Sequence, residues 1–404
     1  MRYIEFIRQN RTVHGEFEPE LDSPGISVFI GLYNAANYFD NIISNIKFQT
    51  LPNLPIVLAD NCSSDETWVL AKQLVELLPG RVVAIRNPVN VGGAGNFWSN
   101  MDLCPTDWIA TLHQDDIYFE NHVETLLNVI TVSPKETAIV ATSMGRYLED
   151  ANKADIFPRA NWLLNEDSSS VDLFLANLRN HCIPFPAAAF KRDVLKSRSI
   201  AWHDTSFPDT ELLLGILAEH KVNVSKEVTM AYRENSQSES HSLGHAQRIA
   251  GQELSLNRIF LSDSFSKIIT TLTDKEKDSF FRHILESISL RLGEGTESSR
   301  VKRNLAEFLA ISWNYSSVAV NSFLSQEYKS TGPEFSLNFL ENVGNKAVEL
   351  DTRGQSGRQL NVEAENFSRS PIRLQRTKRA VIGFGLRLLV FLGFRKDFDF
   401  RWRK

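Results

Sequence analysis

Residues 26–49 read ISVFIGLYNAANYFDNIISNIKFQ, and their reading decides the fold. ISVFIGLY (26–33) is a short apolar run rich in β-branched residues, the pattern of a buried strand. The helical period follows at once: Phe39, Ile42, Ile43 and Ile46 share one face over 37–49, with Asn37 as the N-cap and Asp40 in the first turn. The alternation continues. PIVLAD (55–60) is a second strand, and SSDETWVLAKQLVELL (63–78) is a helix capped by Ser63 or Ser64, apolar at 68, 71, 74, 75 and 78. RVVAIRN (81–87), DWIATL (107–112) and ETAIVATS (136–143) are further strands, separated by the helices GNFWSNMDLC (95–104) and ENHVETLLNVI (120–130). Strands alternating with helices predict a doubly wound, mostly parallel α/β sheet. Such sheets bind ligands beyond the carboxyl ends of their strands. Three polar clusters fall at those ends: Tyr33/Asn34, Asp60/Asn61 and Asp115/Asp116.

Downstream the pattern becomes helical, then polar, then basic. The boundaries expected are a 1–24 extension, a 25–242 α/β domain, a 243–350 helical domain, a 351–379 polar and basic linker and a 380–404 amphipathic basic tail. Residues 369–404 carry eleven Lys/Arg against Asp397 and Asp399, a net +9, which leaves −14 for the rest of a chain whose total is −5. Such a tail suits an anionic surface. AVIGFGLRLLVFLGF (380–394) is too short to span a bilayer but suits an interfacial helix with basic, aromatic flanks; docking on the protein's own core is the competing reading. Nucleic acid is disfavoured, because no folded basic face accompanies the tail. Cys62, Cys104 and Cys182 are odd in number, with no CxxC and no zinc spacing, as in a reduced cytoplasmic chain. The polar N-terminus is not a signal peptide. The expected location is cytoplasmic, peripheral at the inner face of the plasma membrane.

The chemistry lies in the clusters. Asp115 and Asp116 repel unless a cation sits between them, and two carboxylates at a strand end suit Mg²⁺ or Mn²⁺, which completes its shell with water and phosphate; a solvated turn is the alternative. Asp60 can accept hydrogen bonds from a base or ribose. NVGGAGN (90–96) lets backbone approach a ligand, but it is no dinucleotide fingerprint. With Gly93 and Gly95 as the first pair the third glycine falls on Trp98, and with Gly92 first the second falls on Ala94. Asp209 and Glu211 open an apolar helix. Acids favour that position through the helix dipole, which is the simpler reading, while Asp209 as a general base is the functional one. Arg233 lies in a polar stretch that either closes over phosphates or links domains. His113 reads as a hydrogen-bonded structural histidine.

In order, the segments ISVFIGLYNAANYF, VLADNCSSDET, NVGGAGN, LHQDD, FPDTELLL and YRENSQSES resemble the inverting family-2 glycosyltransferases of the GT-A fold. The resemblance covers about residues 25–242 and is strongest over 26–120. It implies metal-dependent transfer of a sugar, with inversion, from a UDP- or dTDP-sugar to a hydroxyl of a carbohydrate or lipid-linked saccharide, in bacterial-type cell-surface polysaccharide assembly. It assigns Asp60 to the base, Asp116 and Asp115 to Mn²⁺ or Mg²⁺, and Asp209 to the acceptor proton. Tyr33, Asn34, Asn61, Gly92, Gly93, Asn96, Asp115 and Arg233 complete the nucleotide-sugar site. The chain departs from the pattern where His113 replaces a first Asp, Asn61 a second Asp, and Asn235 a His. Two readings compete: a non-catalytic module that binds sugar nucleotides or acts as a scaffold, and a metal phosphohydrolase using His113, Asp115 and Asp116, which leaves Asp60 and the glycine turn unexplained.

Overall fold

The computed structural model of the chain describes residues 2–18, 25–149, 153–159, 170–180, 183–198, 207–234, 245–312 and 323. An N-terminal helix α1 (Arg2–Asn10) and a short strand β1 (Thr12–His14) precede the predicted alternation. That alternation is β2 (Ile26–Leu32), α2 (Phe39–Lys47), β3 (Ile56–Asp60), α3 (Thr67–Leu77), β4 (Val82–Arg86), α4 (Gly92–Asn100) and β5 (Trp108–His113). The chain continues through β6 (Ile117–Tyr118), α5 (His122–Val132), β7 (Thr137–Leu148), β8 (Lys153–Arg159) and α6 (Ser170–Asn180). Then come β9 (Ala188–Lys191), α7 (Arg192–Lys196), α8 (Pro208–Leu217) and β10 (Lys221–Glu234).

The strands form one sheet in the order β1-β4-β3-β2-β5-β9-β7-β10-β6, with β8 beside β7. β2, β3, β4, β5, β7 and β10 run in one direction, and β1, β6, β8 and β9 oppose them. The sheet is therefore α/β and mostly parallel, as expected. The antiparallel β9 between β5 and β7 has only four residues, too short a run to stand out in the sequence. From β2 the chain builds outward through β3 and β4, then crosses back to place β5 on the other side of β2. The order thus reverses between β2 and β5, which opens a crevice at their carboxyl ends.

Both faces are covered, and successive side chains of the strands serve opposite cores. Val28, Ile30, Leu58 and Leu112 pack with Phe39, Ile42, Leu74, Val123 and Leu126. Phe29, Val57, Ile85, Ile109 and Phe190 pack on the other face with Phe97, Trp98, Phe174 and Leu213. That second core continues into the helices α9 (His245–Phe260), α10 (Asp263–Thr271), α11 (Asp274–Leu292) and α12 (Thr296–Ser312), through Leu256, Phe260, Phe265, Phe281, Ile284 and Leu305. Burying each of these side chains is worth about 1.5–3 kcal/mol, so the helices are held by the face of the sheet they cover. Local signals set their ends: Ser262 accepts from Phe265 N at α10, and Thr273 and Glu276 form a reciprocal capping box at α11.

Three local expectations need correction. Asn37 does not cap α2; it lies within a 3₁₀ turn (Ala36–Tyr38), and Tyr38 occupies the cap position without a side-chain bond. Ser63 and Ser64 do not cap α3, which begins at Thr67; a local bond to Asp60 and long-range bonds with Asn34 take them instead. α4 starts at Gly92 rather than residue 95, because Gly92 sits at φ +74°, a turn that costs glycine little. Among the described residues no helix is long and apolar enough to cross a membrane. The tail at 380–404, the linker at 351–379, the 313–350 part of the helical region apart from residue 323, and Asn235 lie outside the described residues.

Candidate functional site

The crevice is walled by the loops that follow β2, β3 and β5. After β2 the chain turns at Asn34, φ +46°, a conformation asparagine tolerates better than most residues. The side-chain amide of Gln114, just past β5, pairs with both backbone groups of Tyr33: Tyr33 N donates to Oε1 at 2.8 Å and Nε2 donates to Tyr33 O at 3.2 Å. This extends the β2–β5 ladder by one step. Asn34 N donates to Ser63 Oγ at 2.9 Å, and Asn34 Oδ1 accepts from Ser64 N at 2.9 Å. Ala35 N donates to Thr67 Oγ1 at 2.7 Å and Ala36 N to Asp65 Oδ2 at 3.1 Å. The three loops are thus bonded into one rim. The Tyr33 side chain stays exposed upon it.

Asp60 ends β3 and is fully buried. Its Oδ1 accepts from the amide and the hydroxyl of Ser63. Its Oδ2 has no hydrogen-bond partner among the described residues, and Arg86 Nε stands 3.5 Å away. Burial pushes Asp60 above the usual carboxylate range, against the lowering effect of Ser63 and Arg86. The open oxygen, beside a cation that packs on the Trp68 ring, is ready to accept one N–H from a ligand.

The acidic turn is built the same way. Asp116 is fully buried. Its carbonyl accepts from Asn41 Nδ2 at 2.8 Å and Asn45 Nδ2 at 2.9 Å, both on α2. Its Oδ1 accepts from the main-chain N–H of Arg233 at 2.9 Å. Its Oδ2 has no hydrogen-bond partner among the described residues, and His113 Nδ1 lies 3.6 Å from it. Burial first, and the neighbouring Asp115 second, push Asp116 well above the usual carboxylate range. Ligand atoms of His113, Asp115 and Asp116 all lie within 4.8 Å of one another. A buried carboxylate oxygen left open, with a second carboxylate and an imidazole facing it, is a donor set that fits a divalent cation such as Mn²⁺ or Mg²⁺. His113, read from sequence as structural, therefore belongs to this cluster.

Arg233 does not reach out as a free phosphate clamp. Its Nε donates to Asp115 O at 2.5 Å and its Nη1 to Glu149 at 2.7 Å. Its guanidinium lies over the Tyr147 ring at 5.2 Å and the Tyr38 ring at 5.9 Å. It fixes the acidic turn against β10.

The glycine turn is held from behind by asparagines. Asn61 Oδ1 accepts from Val91 N at 3.0 Å, and Asn61 Nδ2 donates to Asn90 Oδ1 at 2.7 Å. Asn96 Nδ2 donates to Ala59 O at 2.6 Å. Both side chains are buried and turned into the fold. Gly92 and Gly93 are exposed, and a Cβ at either would meet nothing within 4 Å. They form an open N-terminus of α4 rather than a tight contact.

Asp209 stands in the first turn of α8. The three residues 218–220 connect α8 to β10, which starts at Lys221 beside Thr137 at the start of β7. The ten residues of the helix rise about 15 Å, and its buried Leu212, Leu213, Leu214, Ile216 and Leu217 join the second core. Asp209 lies at the end of α8 opposite that connection. Its neighbour Glu211 is engaged with Arg258 Nη1 at 3.4 Å. Arg291 of α11 donates to Thr210 Oγ1 at 3.0 Å and to Leu178 O at 2.7 Å. Burial lowers the Arg291 guanidinium to about 10, opposed by the charge of Asp209. No sequence signal pointed to Gln114, Arg86 or Arg291, since each acts across 20 or more positions of chain.

Residues 27–198 match the family described as glycosyl transferase family 2. An uncharacterized glycosyltransferase of Rickettsia typhi is 25% identical over 187 residues, 45% of this chain and 57% of that protein. The Escherichia coli UDP-Glc:alpha-D-GlcNAc-diphosphoundecaprenol beta-1,3-glucosyltransferase WfaP is 26% identical over 93 residues, 23% of this chain and 36% of its own. The chain spans about half the length of the first curated relatives it matches. The crystal structure of S. aureus TarS 1–349 in complex with UDP-GlcNAc superimposes with a TM-score of 0.54 at 12% identity, covering 82% of this chain and 93% of that one. At that identity the likeness is one of fold.

Proposed function

We propose, for a chain whose residues 27–198 match the family described as glycosyl transferase family 2, that it transfers a sugar with inversion from a UDP- or dTDP-sugar to a hydroxyl acceptor. The observation that carries this reading is the pair of buried carboxylates, Asp60 and Asp116. Each sits at the carboxyl edge of the sheet, and each keeps one oxygen without a hydrogen-bond partner among the described residues. One crevice then offers an acceptor for a base N–H and a seat for a cation beside a diphosphate.

Asp60 Oδ2 would take the ring N–H of uracil or thymine, and Tyr33 and Asn34 would border the base and ribose. The first turn of α4, which starts at Gly92, would offer a helix N-terminus, which favours negative charge, although the Gly92 amide itself is taken by Asn90 Oδ1. Asp116, Asp115 and His113 would hold Mn²⁺ or Mg²⁺, which offsets charge on a leaving diphosphate. Arg233, Asn61 and Asn96 act from behind, by fixing these groups. Asp209 would take the proton of the acceptor hydroxyl as its oxygen bonds to the anomeric carbon, opposite the breaking bond to the diphosphate. Glu211 is a poorer base because Arg258 holds it.

The acceptor is a carbohydrate or a lipid-linked saccharide, and the setting is cell-surface polysaccharide assembly on the cytoplasmic side. The relative WfaP supports this, since its name gives a diphosphoundecaprenol-linked acceptor. The basic, aromatic tail at 380–404 would bring the enzyme to that membrane surface.

Thermal unfolding with Mn²⁺ and a panel of nucleotide sugars identifies the donor, and release of nucleoside diphosphate in the presence of saccharide acceptors measures transfer. A stabilising UDP- or dTDP-sugar with turnover is expected. Binding without turnover under every acceptor would reduce the protein to a binding module; no stabilisation by any nucleotide sugar would reject the reading.

A further inference from the structure

The N-terminal segment lies outside the family match, which begins at residue 27, yet it is bonded to the back of the crevice. α1 packs on α4 through the buried Ile7, and two arginines reach the end of α4. Arg8 donates to Ser99 O at 3.3 Å and to Trp98 O at 3.1 Å. Arg11 donates to Ser99 O at 2.7 Å and pairs with Asp102 through two bonds of 2.9 and 3.1 Å. These contacts satisfy carbonyls that a helix end leaves open. One further bond goes beyond helix capping. Arg11 Nη1 donates to Asn100 Oδ1 at 3.3 Å, and Asn100 is fully buried.

From Asn100 the bonds run one way. Its Nδ2 donates to Asn87 Oδ1 and to Asn96 Oδ1, each at 3.0 Å. Asn87 Nδ2 donates to Asn96 Oδ1 at 2.9 Å and to Asn61 Oδ1 at 3.3 Å. Asn61 Nδ2 donates to Asn90 Oδ1 at 2.7 Å, and that same oxygen receives Gly92 N at 2.9 Å. Asn87 N donates to Asp60 O at 2.9 Å. An asparagine amide can face either way, so its bonds do not orient it unless a partner is one-sided. The network is tied to one-sided partners along its length: Val91 N and Gly92 N only donate, to Asn61 and Asn90, and the Asn96 carbonyl, which takes Asn100 Nδ2 at 2.9 Å, only accepts. Arg11 only donates, and the Ala59 carbonyl, which takes Asn96 Nδ2, only accepts. Between them every amide has a single satisfied orientation. Without Arg11, Asn100 Oδ1 is a buried acceptor with its cation gone, and turning that amide over would set oxygen against oxygen at Asn87 and Asn96.

We propose that Arg11 is a positioning residue for the donor site. Acting through Asn100, Asn87 and Asn61, it orients the loop that presents the Gly92 end of α4 beside Asp60. The clause about the donor rests on the function proposed above; the clause about the loop does not. The N-terminal segment is then a working part of the transferase fold in this chain.

The test compares the full-length protein with Arg11→Met, the conservative Arg11→Lys, the milder Arg11→Gln and, as a control for general destabilisation, Thr273→Ala in the α11 capping box. The first readout is amide hydrogen exchange without ligand. Arg11→Met should speed exchange at Asn87, Val91 and Gly92 about tenfold or more, Arg11→Gln should speed it less, and Arg11→Lys should restore protection. Thr273→Ala should leave these amides unchanged even as it lowers Tm. The second readout is calorimetric titration with UDP and dTDP in Mn²⁺: Arg11→Met should raise Kd about tenfold, with Arg11→Lys near wild type. Unchanged exchange in Arg11→Met, or equal acceleration in Thr273→Ala, overturns the proposal. Faster exchange with unchanged Kd overturns its donor clause. If the wild type binds neither nucleotide, the proposed function fails and exchange alone decides whether Arg11 sets the loop. If Arg11→Met does not fold, the Gln and Lys variants carry the same comparison.

Discussion

The main-chain N–H of Arg233 holds Asp116 Oδ1 at 2.9 Å across 117 positions of sequence, while Asp116 Oδ2 stays buried without a hydrogen-bond partner among the described residues. One oxygen orients the carboxylate; the other is left for a ligand. Divalent cations should therefore stabilise the protein through Asp116. At a hundred times its dissociation constant a bound ion contributes about 2.7 kcal/mol, which is about 3 °C in Tm for a chain of this size. Asp116→Asn keeps the bond from Arg233 and should lose that gain. An equal Mn²⁺-dependent rise of Tm in wild type and variant, read against EDTA, would place the ion elsewhere.

Asp209 and Glu211 sit two residues apart on α8 and should behave oppositely when neutralised. Asp209→Asn should lower kcat about 10²–10⁴-fold, the scale of a lost general base, with Tm nearly unchanged. Glu211→Gln breaks the pair with Arg258, whose two side chains are mostly buried. It should cost about 1–3 kcal/mol of stability and leave kcat within a few-fold. Turnover and denaturant midpoints of both variants separate the roles; the reverse pattern would make Glu211 the base.

His122 is fully buried beneath β10, its Nδ1 2.7 Å from Thr229 Oγ1, and burial lowers it from 6.5 to about 3. The unfolded chain gains this proton as pH falls through 6.5 and the fold does not. Stability is thus fully present above 6.5 and is lost as pH drops toward about 3, by about 1.4 kcal/mol per unit. Between pH 6.5 and 5 the wild type should lose about 2 kcal/mol more than His122→Gln, whose side chain does not titrate. Urea midpoints at the two pH values check this. Parallel slopes would contradict it.

Cys62 holds φ +61° in the loop after Asp60, where a Cβ costs about 1–2 kcal/mol. Its thiol makes one long contact, 3.6 Å to Pro88 O. Cys62→Gly removes the backbone strain and adds unfolded-state entropy, for a net gain of about 0.5–1 kcal/mol, while Cys62→Val should lose stability. A lower denaturant midpoint for the glycine variant would refute the strain.

Much of the frame was legible in the chain. The apolar runs at 26–33, 55–60, 81–87 and 107–112 all became buried strands, because a continuous β-rich run between turn signals has few other stable uses. The polar pairs that end them lie at one edge because parallel strands share a direction. Caps were less legible. Asn37, Ser63 and Ser64 carried local cap signals, yet Asn34, about 30 residues away, engaged both Ser63 and Ser64, and the Asn37 position became a 3₁₀ turn.

The sequence alone determined the strands β2 to β5 and β7, the helices between them and where the carboxylates fall among them, since period and strand polarity are local properties of a chain; α1, β1, β6, β8 and β9 were not legible there. The tertiary structure alone decided what each charged group does. It turned Arg233 onto Asp115 and Glu149, drew His113 to Asp116, set Arg86 beside Asp60 and tied Arg11 to the asparagines behind the glycine turn. A side chain's role follows from which partners desolvate and orient it, and those partners arrive from distant positions once the sheet has closed its register.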